Sequence, residues 1–253
     1  MRENLNKAKR VTHEQQHDIK LELDVRCQKL IEKRLRSGFG DISVLGEEGT
    51  LGDPCAPKRW VVDPIDGTVN FTYGIPHACV SIALQVRNSR DASGASSATA
   101  EPYETCLGVV YDPFCDELWT AQRGRPAYLN GKRIRASRRS KLSEAIMSVG
   151  FAKYPETLEA TLPTLNHLIY RVRKIRIMGA AALGLVYVAT GRFDAYIESG
   201  IRLWDIAAGG LILECAGGEF WRKPLAGEHA YKVIANNGLF RRRLQQMQSR
   251  RVR

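Results

Sequence analysis

Short apolar runs alternate with stretches of helical period along the chain, the pattern of an α/β or α+β protein. Apolar positions at Cys27, Leu30, Ile31 and Leu35 share the spacing of one helical face and predict a helix over 24–36. Ile42 to Leu45 and Trp60-Val61-Val62 read as buried strands, the second ending in Asp63. Ala78 to Val86, rich in β-formers, reads as a longer strand. Cys106 to Asp112 and Cys115 to Ala121 form a predicted hairpin that turns through Asp112-Pro113-Phe114. Residues 88–105 are small and polar and read as an exposed loop between two strands. Helices are predicted over 157–172, with Pro163 either bending it or marking its start, over 179–190, and over 205–216, where Gly217-Gly218 stops it. Phe193 to Glu198 and Lys232 to Ala235 supply further strands, and a basic, Gln-rich helix follows. No internal repeat or linker is visible, so a single domain over 1–253 is expected.

Composition narrows the class without choosing a function. Hydrophobic residues at 44% and charged residues at 26% are ordinary for a globular protein. No apolar run approaches the ~18–20 residues that span a bilayer, and no apolar stretch follows the opening MRENLNKAKR, so a cytoplasmic protein is expected. The six cysteines are scattered, with no C-x-x-C pair, which argues against a zinc site and a disulfide framework. The net charge of +11 invites a nucleic-acid reading. Six of those charges fall in residues 241–253 and three in residues 1–10, leaving +2 for the other 230 residues. The tails are therefore read as solvated ends, and no nucleic-acid or membrane partner is expected.

The most informative stretch is Asp63-Pro64-Ile65-Asp66-Gly67-Thr68. Asp63 ends an apolar strand, where α/β proteins place ligands at the carboxyl edge of a sheet. Pro64 fixes one backbone angle and Gly67 permits close approach, so the turn can aim both aspartates and the Ile65 carbonyl at one point. All are hard oxygen ligands suited to Mg2+. Gly46-Glu47-Glu48-Gly49 follows another apolar strand and offers a further carboxylate, and Trp204-Asp205 opens an apolar helix. Each piece alone has a plain reading: a turn, a solvated acidic loop, a helix-capping charge.

Together the pieces resemble the inositol monophosphatase family, of the magnesium-dependent, lithium-sensitive phosphatase superfamily. Its first signature looks like Trp60-Val61-Val62-Asp63-Pro64-Ile65-Asp66-Gly67-Thr68-Val69-Asn70-Phe71, and its second like Trp204-Asp205-Ile206-Ala207-Ala208-Gly209 running on to Ala216-Gly217-Gly218. Gly179-Ala180-Ala181-Ala182 and Ala189 to Tyr196 are also similar, and the likeness covers about residues 18 to 240. It implies a layered αβαβα sandwich of the inositol monophosphatase and fructose-1,6-bisphosphatase type. It implies two or three Mg2+ held by Glu47, Asp63, the Ile65 carbonyl, Asp66 and Asp205. It implies that Gly67 and Thr68 receive the phosphate, that Asp24 supports Thr68 by a hydrogen bond, and that Glu47 and Thr68 orient the attacking water. Asp66, Gly179, Ala180, Ala181, Glu198 and Asp205 would line the substrate, with Glu198 taking a polyol hydroxyl. A homodimer is also implied.

The reading that results is Mg2+-dependent hydrolysis of inositol monophosphate or a related sugar or polyol phosphate. Fructose 1,6-bisphosphate and 3′-phosphoadenosine 5′-phosphate are the alternative substrates. A basic nucleic-acid or protein-binding module on the same scaffold is the non-enzymatic rival. The sequence departs from the family at Gly150-Phe151-Ala152-Lys153, where a hydroxyl-binding Ser is usual, and at Ala180, where Thr is usual. The segment before Asp24 is also short. Residues 1–17 are too polar to replace the family's helix fully, so apolar surface is expected to lie open there or under a partner subunit.

Overall fold

The computed structural model describes residues 1–15, 18–88, 102–151 and 155–244. After a 3-10 turn at Arg2–Asn4, β1 (Val11–Gln15) and β2 (Asp18–Leu21) pair antiparallel and lead into helix α1 (Glu22–Phe39). Strands β3 (Ser43–Gly46), β4 (Gly49–Leu51) and β5 (Lys58–Asp66) precede the short helix α2 (Thr68–Thr72). Then come β6 (Cys79–Arg87), β7 (Tyr103–Asp112), β8 (Glu117–Gln122), β9 (Tyr128–Leu129) and β10 (Lys132–Arg133). The second half holds β11 (Ile146–Val149), α3 (Pro155–Ile169), β12 (Lys174–Arg176), α4 (Ala181–Ala189), β13 (Ala195–Arg202), α5 (Leu203–Cys215), β14 (Glu219–Pro224) and β15 (Ala230–Asn236).

Two larger sheets result. One has eight strands in the order β10-β9-β8-β7-β6-β5-β3-β4, and the other five in the order β12-β11-β13-β15-β14. Helices α4 and α5 lie between them, touching β6 and β7 on one side and β13 and β15 on the other. Helix α1 packs on β5, and α3 on β12 and β13. The layers run α-β-α-β-α, as the family resemblance implies. The sequence explains the middle layer, because α4 and α5 are apolar nearly all round and bury almost every residue. Each fully buried leucine there, such as Leu183 or Leu185, contributes ~1.5–3 kcal/mol.

Several expectations change. Helix α1 starts earlier and ends later than 24–36, and Leu30 is 57% exposed rather than part of its apolar face. The fully buried positions of its first half are the polar Asp24 and Gln28, Gln28 facing the acidic turn, while Leu23 and Cys27 pack against a small apolar cluster. Strand β5 does not stop at Asp63. A register shift between Asp63 and Asp66 accommodates Pro64, and pairing resumes at Asp66 with Cys79. Tyr103, Glu104 and Thr105, read as loop, begin β7; residues 89–101 lie outside the described residues. Pro163 sits inside α3, which starts at Pro155. The short edge strands β4, β9, β10 and β12 carry no alternation that distinguishes them from turns. The basic tail is helical through Leu244, and its remainder lies outside the described residues.

The amino terminus also departs from expectation. Met1 and Leu5 pack against Leu21, Ile65, Phe71 and Ala78, so the chain's own start covers the apolar surface expected to lie open. Arg2 anchors it, reaching the Pro113 carbonyl and, at 2.8 Å, Asp116. Among the described residues no helix is long and apolar enough to cross a membrane.

Candidate active site

The two signatures, more than 130 residues apart, meet at one cavity of about 280 Å3. Asp63 and Asp66 arrive on the bulged end of β5. Glu47 arrives on the turn after β3, and Asp205 at the third position of α5. One carboxylate oxygen from each of Asp63, Asp66 and Asp205 lies within 4.8 Å of the others. Glu47 and Ile65 line the same cavity.

Each acidic side chain is aimed by backbone. Asp63 Oδ1 accepts the Ile65 N–H at 2.9 Å, which closes the turn between the two aspartates. Asp66 accepts the Ala181 N–H at 3.1 Å and the Ala182 N–H at 2.8 Å, so it caps α4 with the free donors of a helix start. The Cys79 thiol donates to the same carboxylate at 3.5 Å. Asp205 Oδ2 accepts the Arg202 N–H at 2.9 Å. Behind Glu47, the buried Gln28 accepts the Glu48 N–H at 2.9 Å and donates to the Gly49 carbonyl at 3.0 Å, fixing the turn.

Gly67 starts α2 with φ of +89°, and a Cβ there would meet the His77 carbonyl at 2.9 Å. That turn therefore requires glycine. Asn70 donates to the His77 carbonyl at 3.0 Å and the Met178 carbonyl at 2.7 Å, tying α2 to the 178–181 loop. Thr68 donates its hydroxyl to the Ile65 carbonyl at 2.8 Å. The expected bond between Asp24 and Thr68 is not made. Asp24 accepts the Leu21 N–H at 2.7 Å, and its other oxygen is buried with no partner. The reason is local: Asp24 is the third residue of α1, where a carboxylate caps the helix start.

The electrostatics are those of a group of acids that could hold a cation. Burial, then the charges of Glu47, Asp66 and Asp205, pushes the Asp63 carboxyl well above its usual range. Burial raises Asp66 to about 6, against the lowering pull of the Ala182 and Ala181 N–H bonds. Burial likewise raises Asp24 to about 7, the Leu21 N–H opposing it and Glu47 and Glu48 adding to it. Five carboxylates line the cavity: Glu47, Asp63, Asp66, Glu198 and Asp205. Arg202 is the one basic side chain among its described residues. The donors are all hard oxygens, so the set fits Mg2+ and not a soft metal. No histidine belongs to the group.

Glu198, Gly179, Ala180 and Ala181 line the same cavity, so the structure brings the expected substrate residues beside the acidic ones. Sequence reasoning gave no part to Tyr196, whose buried hydroxyl donates to Glu198 and orients it. Its signal was visible: Tyr196 and Glu198 alternate on one face of a strand. Gln28, Cys79 and Arg202 were also missed, and no local pattern marks them. Gly150 precedes Phe151, the position where the resemblance places a hydroxyl-binding serine. A Cβ at Gly150 would overlap the Glu198 carboxylate and come within 2.9 Å of the Tyr196 hydroxyl. Because Glu198 ends a flexible side chain, Gly150→Ala should fold normally and swing that carboxylate aside. We expect KM for the phosphorylated substrate to rise about tenfold, the scale of one lost hydrogen bond to a charged group, with kcat little changed. Steady-state kinetics checks this, and an unchanged KM would remove Glu198 from the substrate contacts. Ala152 and Lys153 lie outside the described residues.

Comparison with known proteins supplies the family. The model of the inositol monophosphatase family matches residues 1–247. A protein named Nus factor SuhB from Xylella fastidiosa is 41% identical over 202 residues, covering 79% of this chain and 68% of its own. Inositol monophosphatase 1 of Solanum lycopersicum is 36% identical over 225 residues, covering 86% and 77%. Among solved structures, the extragenic suppressor protein SuhB of Bartonella henselae superposes with a TM-score of 0.84 at 31% identity, covering 99% of this chain and 93% of its own. The Thermotoga maritima IMPase superposes with a TM-score of 0.81 at 32% identity, covering 98% and 90%. With the αβαβα layers, these likenesses lead to one conclusion: the chain belongs to the inositol monophosphatase family, and so to the phosphoric monoester hydrolases.

Proposed function

We propose that the protein hydrolyses inositol monophosphate, or a closely related polyol phosphate, with Mg2+ held by Glu47, Asp63, the Ile65 carbonyl, Asp66 and Asp205. The carrying observation is the charge of the cavity, where five carboxylates face one guanidinium. A phosphate monoester is a dianion and would be repelled from such a site, unless bound cations reversed its sign. When bound, Mg2+ supplies Lewis-acid stabilisation of the phosphoryl charge and acidifies water.

The protein's own groups do the rest. Glu47 accepts a proton from the attacking water, and the Thr68 hydroxyl orients it. The N–H groups that follow Gly67 donate to the phosphate oxygens. The leaving alkoxide takes up a proton from solvent water beside Asp205, the proton lost by the attacking water having passed to Glu47. Glu198, oriented by the Tyr196 hydroxyl, accepts a hydroxyl of the polyol. Asp24 makes no hydrogen bond to Thr68 and caps α1 through the Leu21 N–H. Residues 1–253 are read as one domain working as a homodimer, which accords with Tyr73 and Ile177 being 73% and 56% exposed. Sedimentation of the full chain tests that part, and a monomer would remove it. All six cysteines are free thiols, as a reducing cytoplasm keeps them.

Chelation with EDTA should abolish phosphate release from inositol 1-phosphate, and excess Mg2+ should restore it. Release that persists without divalent cations would rule out this mechanism. A panel with fructose 1,6-bisphosphate and 3′-phosphoadenosine 5′-phosphate decides the substrate, the inositol phosphate being expected to give the highest kcat/KM.

A further inference from the structure

The fold gathers charge that the linear order conceals. Residues 132–141, 171–176 and 241–243 hold 13 of the 38 lysines and arginines and no acid, so the rest of the chain carries 25 basic against 27 acidic residues. These segments are distant in sequence, yet 171–176 and 241–243 adjoin one small apolar cluster that includes Ala145, Leu168, Val172, Phe240 and Leu244, and Leu142, just after the first segment, packs against it, while Ile134 of the first segment packs on the larger core. Direct bonds join them. Arg243 donates to the Ser140 carbonyl at 2.8 Å, and the Arg173 N–H to the Ala145 carbonyl at 2.9 Å. Asn237 donates to the Ser137 hydroxyl and the Arg139 carbonyl, both at 2.9 Å. Arg139 is engaged by the buried Asp194 at 2.8 Å, and Lys141 lies 3.5 Å from Glu144. Arg133, Arg135, Arg138 and Arg173 are exposed, as are the three arginines that follow Phe240.

We infer that this basic face is a binding surface for single-stranded nucleic acid. Like charges so concentrated repel one another, and a polyphosphate relieves that repulsion while shedding its condensed counterions. Arg133 and Arg135 flank Ile134, which packs inward, so they stand about 6.6 Å apart along an extended chain, on the scale of successive phosphates. Guanidinium groups fork onto phosphate oxygens and also stack on bases. Tyr170, 88% exposed, immediately precedes Arg171 and offers a ring for base stacking. That aromatic neighbour favours a single strand over a duplex, whose bases are already stacked. The face adjoins Ala145, ahead of β11, whereas the acidic cavity is lined by Ser148, Val149 and Gly150 at the other end of that strand. Occupancy of one therefore need not disturb the other.

The test is fluorescence anisotropy with the full chain and labelled single-stranded RNA, single-stranded DNA and duplex DNA of equal length, across a salt series. Both single strands should bind more tightly than the duplex, and their relative affinity identifies the physiological polymer. The triple variant Arg133→Gln/Arg135→Gln/Arg138→Gln should weaken single-strand binding by about tenfold or more and reduce the salt slope by about 2. The control Lys29→Gln/Lys33→Gln/Arg34→Gln removes the same charge from the exposed side of α1 and should leave affinity near wild type. Both variants should release phosphate at the wild-type rate, which shows that they fold. Tyr170→Ala should weaken the single strand more than the duplex. Equal losses in the two triple variants, equal binding of duplex and single strand, or binding to phosphatidylserine vesicles without binding to polynucleotide would each overturn the inference.

Discussion

Asp63→Asn should lower phosphate release by about a thousandfold or more while raising the melting temperature of the metal-free protein. The loss follows from removing one charge from the cation site proposed above, worth several kcal/mol of phosphoryl stabilisation, and each 1.36 kcal/mol is a factor of ten. The gain follows from the position of Asp63, buried among Glu47, Asp66 and Asp205 with its carboxyl pushed well above its usual range. Asparagine fills the same volume, keeps an oxygen for the Ile65 N–H and relieves the repulsion. Added Mg2+ should then stabilise the wild type far more than the variant. Thermal melts with and without Mg2+, beside initial rates, read both effects. Asp66→Asn is a less clean probe, because an amide would turn a donor toward the Ala181 or Ala182 N–H. Wild-type turnover in Asp63→Asn would refute the assignment of the site.

The metal-free protein should also lose stability as pH rises from about 4 to about 7. The carboxyls of Asp66 and Asp24 are raised to about 6 and about 7 in the folded state, from 3.8 when free. The native state therefore holds more protons than the unfolded state across that window. Their contribution to stability is fully present below the lower value and is lost as pH climbs through the upper ones. Saturating Mg2+ should reverse the trend, because ligand oxygens must shed protons to bind a cation. Melting temperatures across this range, with EDTA and with Mg2+, check the sign. A metal-free protein that grows more stable toward neutrality would contradict the burial of these groups.

Much of this site was legible because its chemistry is concentrated in short stretches. Asp63 to Thr68 and Trp204-Asp205 each combine a strand or helix end with acid, and the match of two such stretches gave the layer order before any coordinates. What stayed hidden is what no local pattern encodes. The Asp24 bond was misassigned because a carboxylate three residues into a helix competes for its own backbone N–H, and local capping won over the distant hydroxyl. Gln28 acts through a turn 20 residues along the chain, whereas Tyr196 bonds Glu198 only two residues on. The strand bulge at Pro64 shows only in the register of β5 against β6. The basic charge looked terminal because linear order, unlike the fold, separates residues 132–141 from 241–243.

Helix α5 carries Asp205 at its first turn and then runs between the two sheets. The last acid of the cavity is thus supplied by the element that also fills the space between the sheets. A nascent chain halted before residue 203 would present Glu47, Asp63 and Asp66 without their fourth acid and with only α4 of the two middle-layer helices. Catalytic competence would then arrive in the same event as the completed hydrophobic interior, late in synthesis, with no half-built hydrolase released along the way.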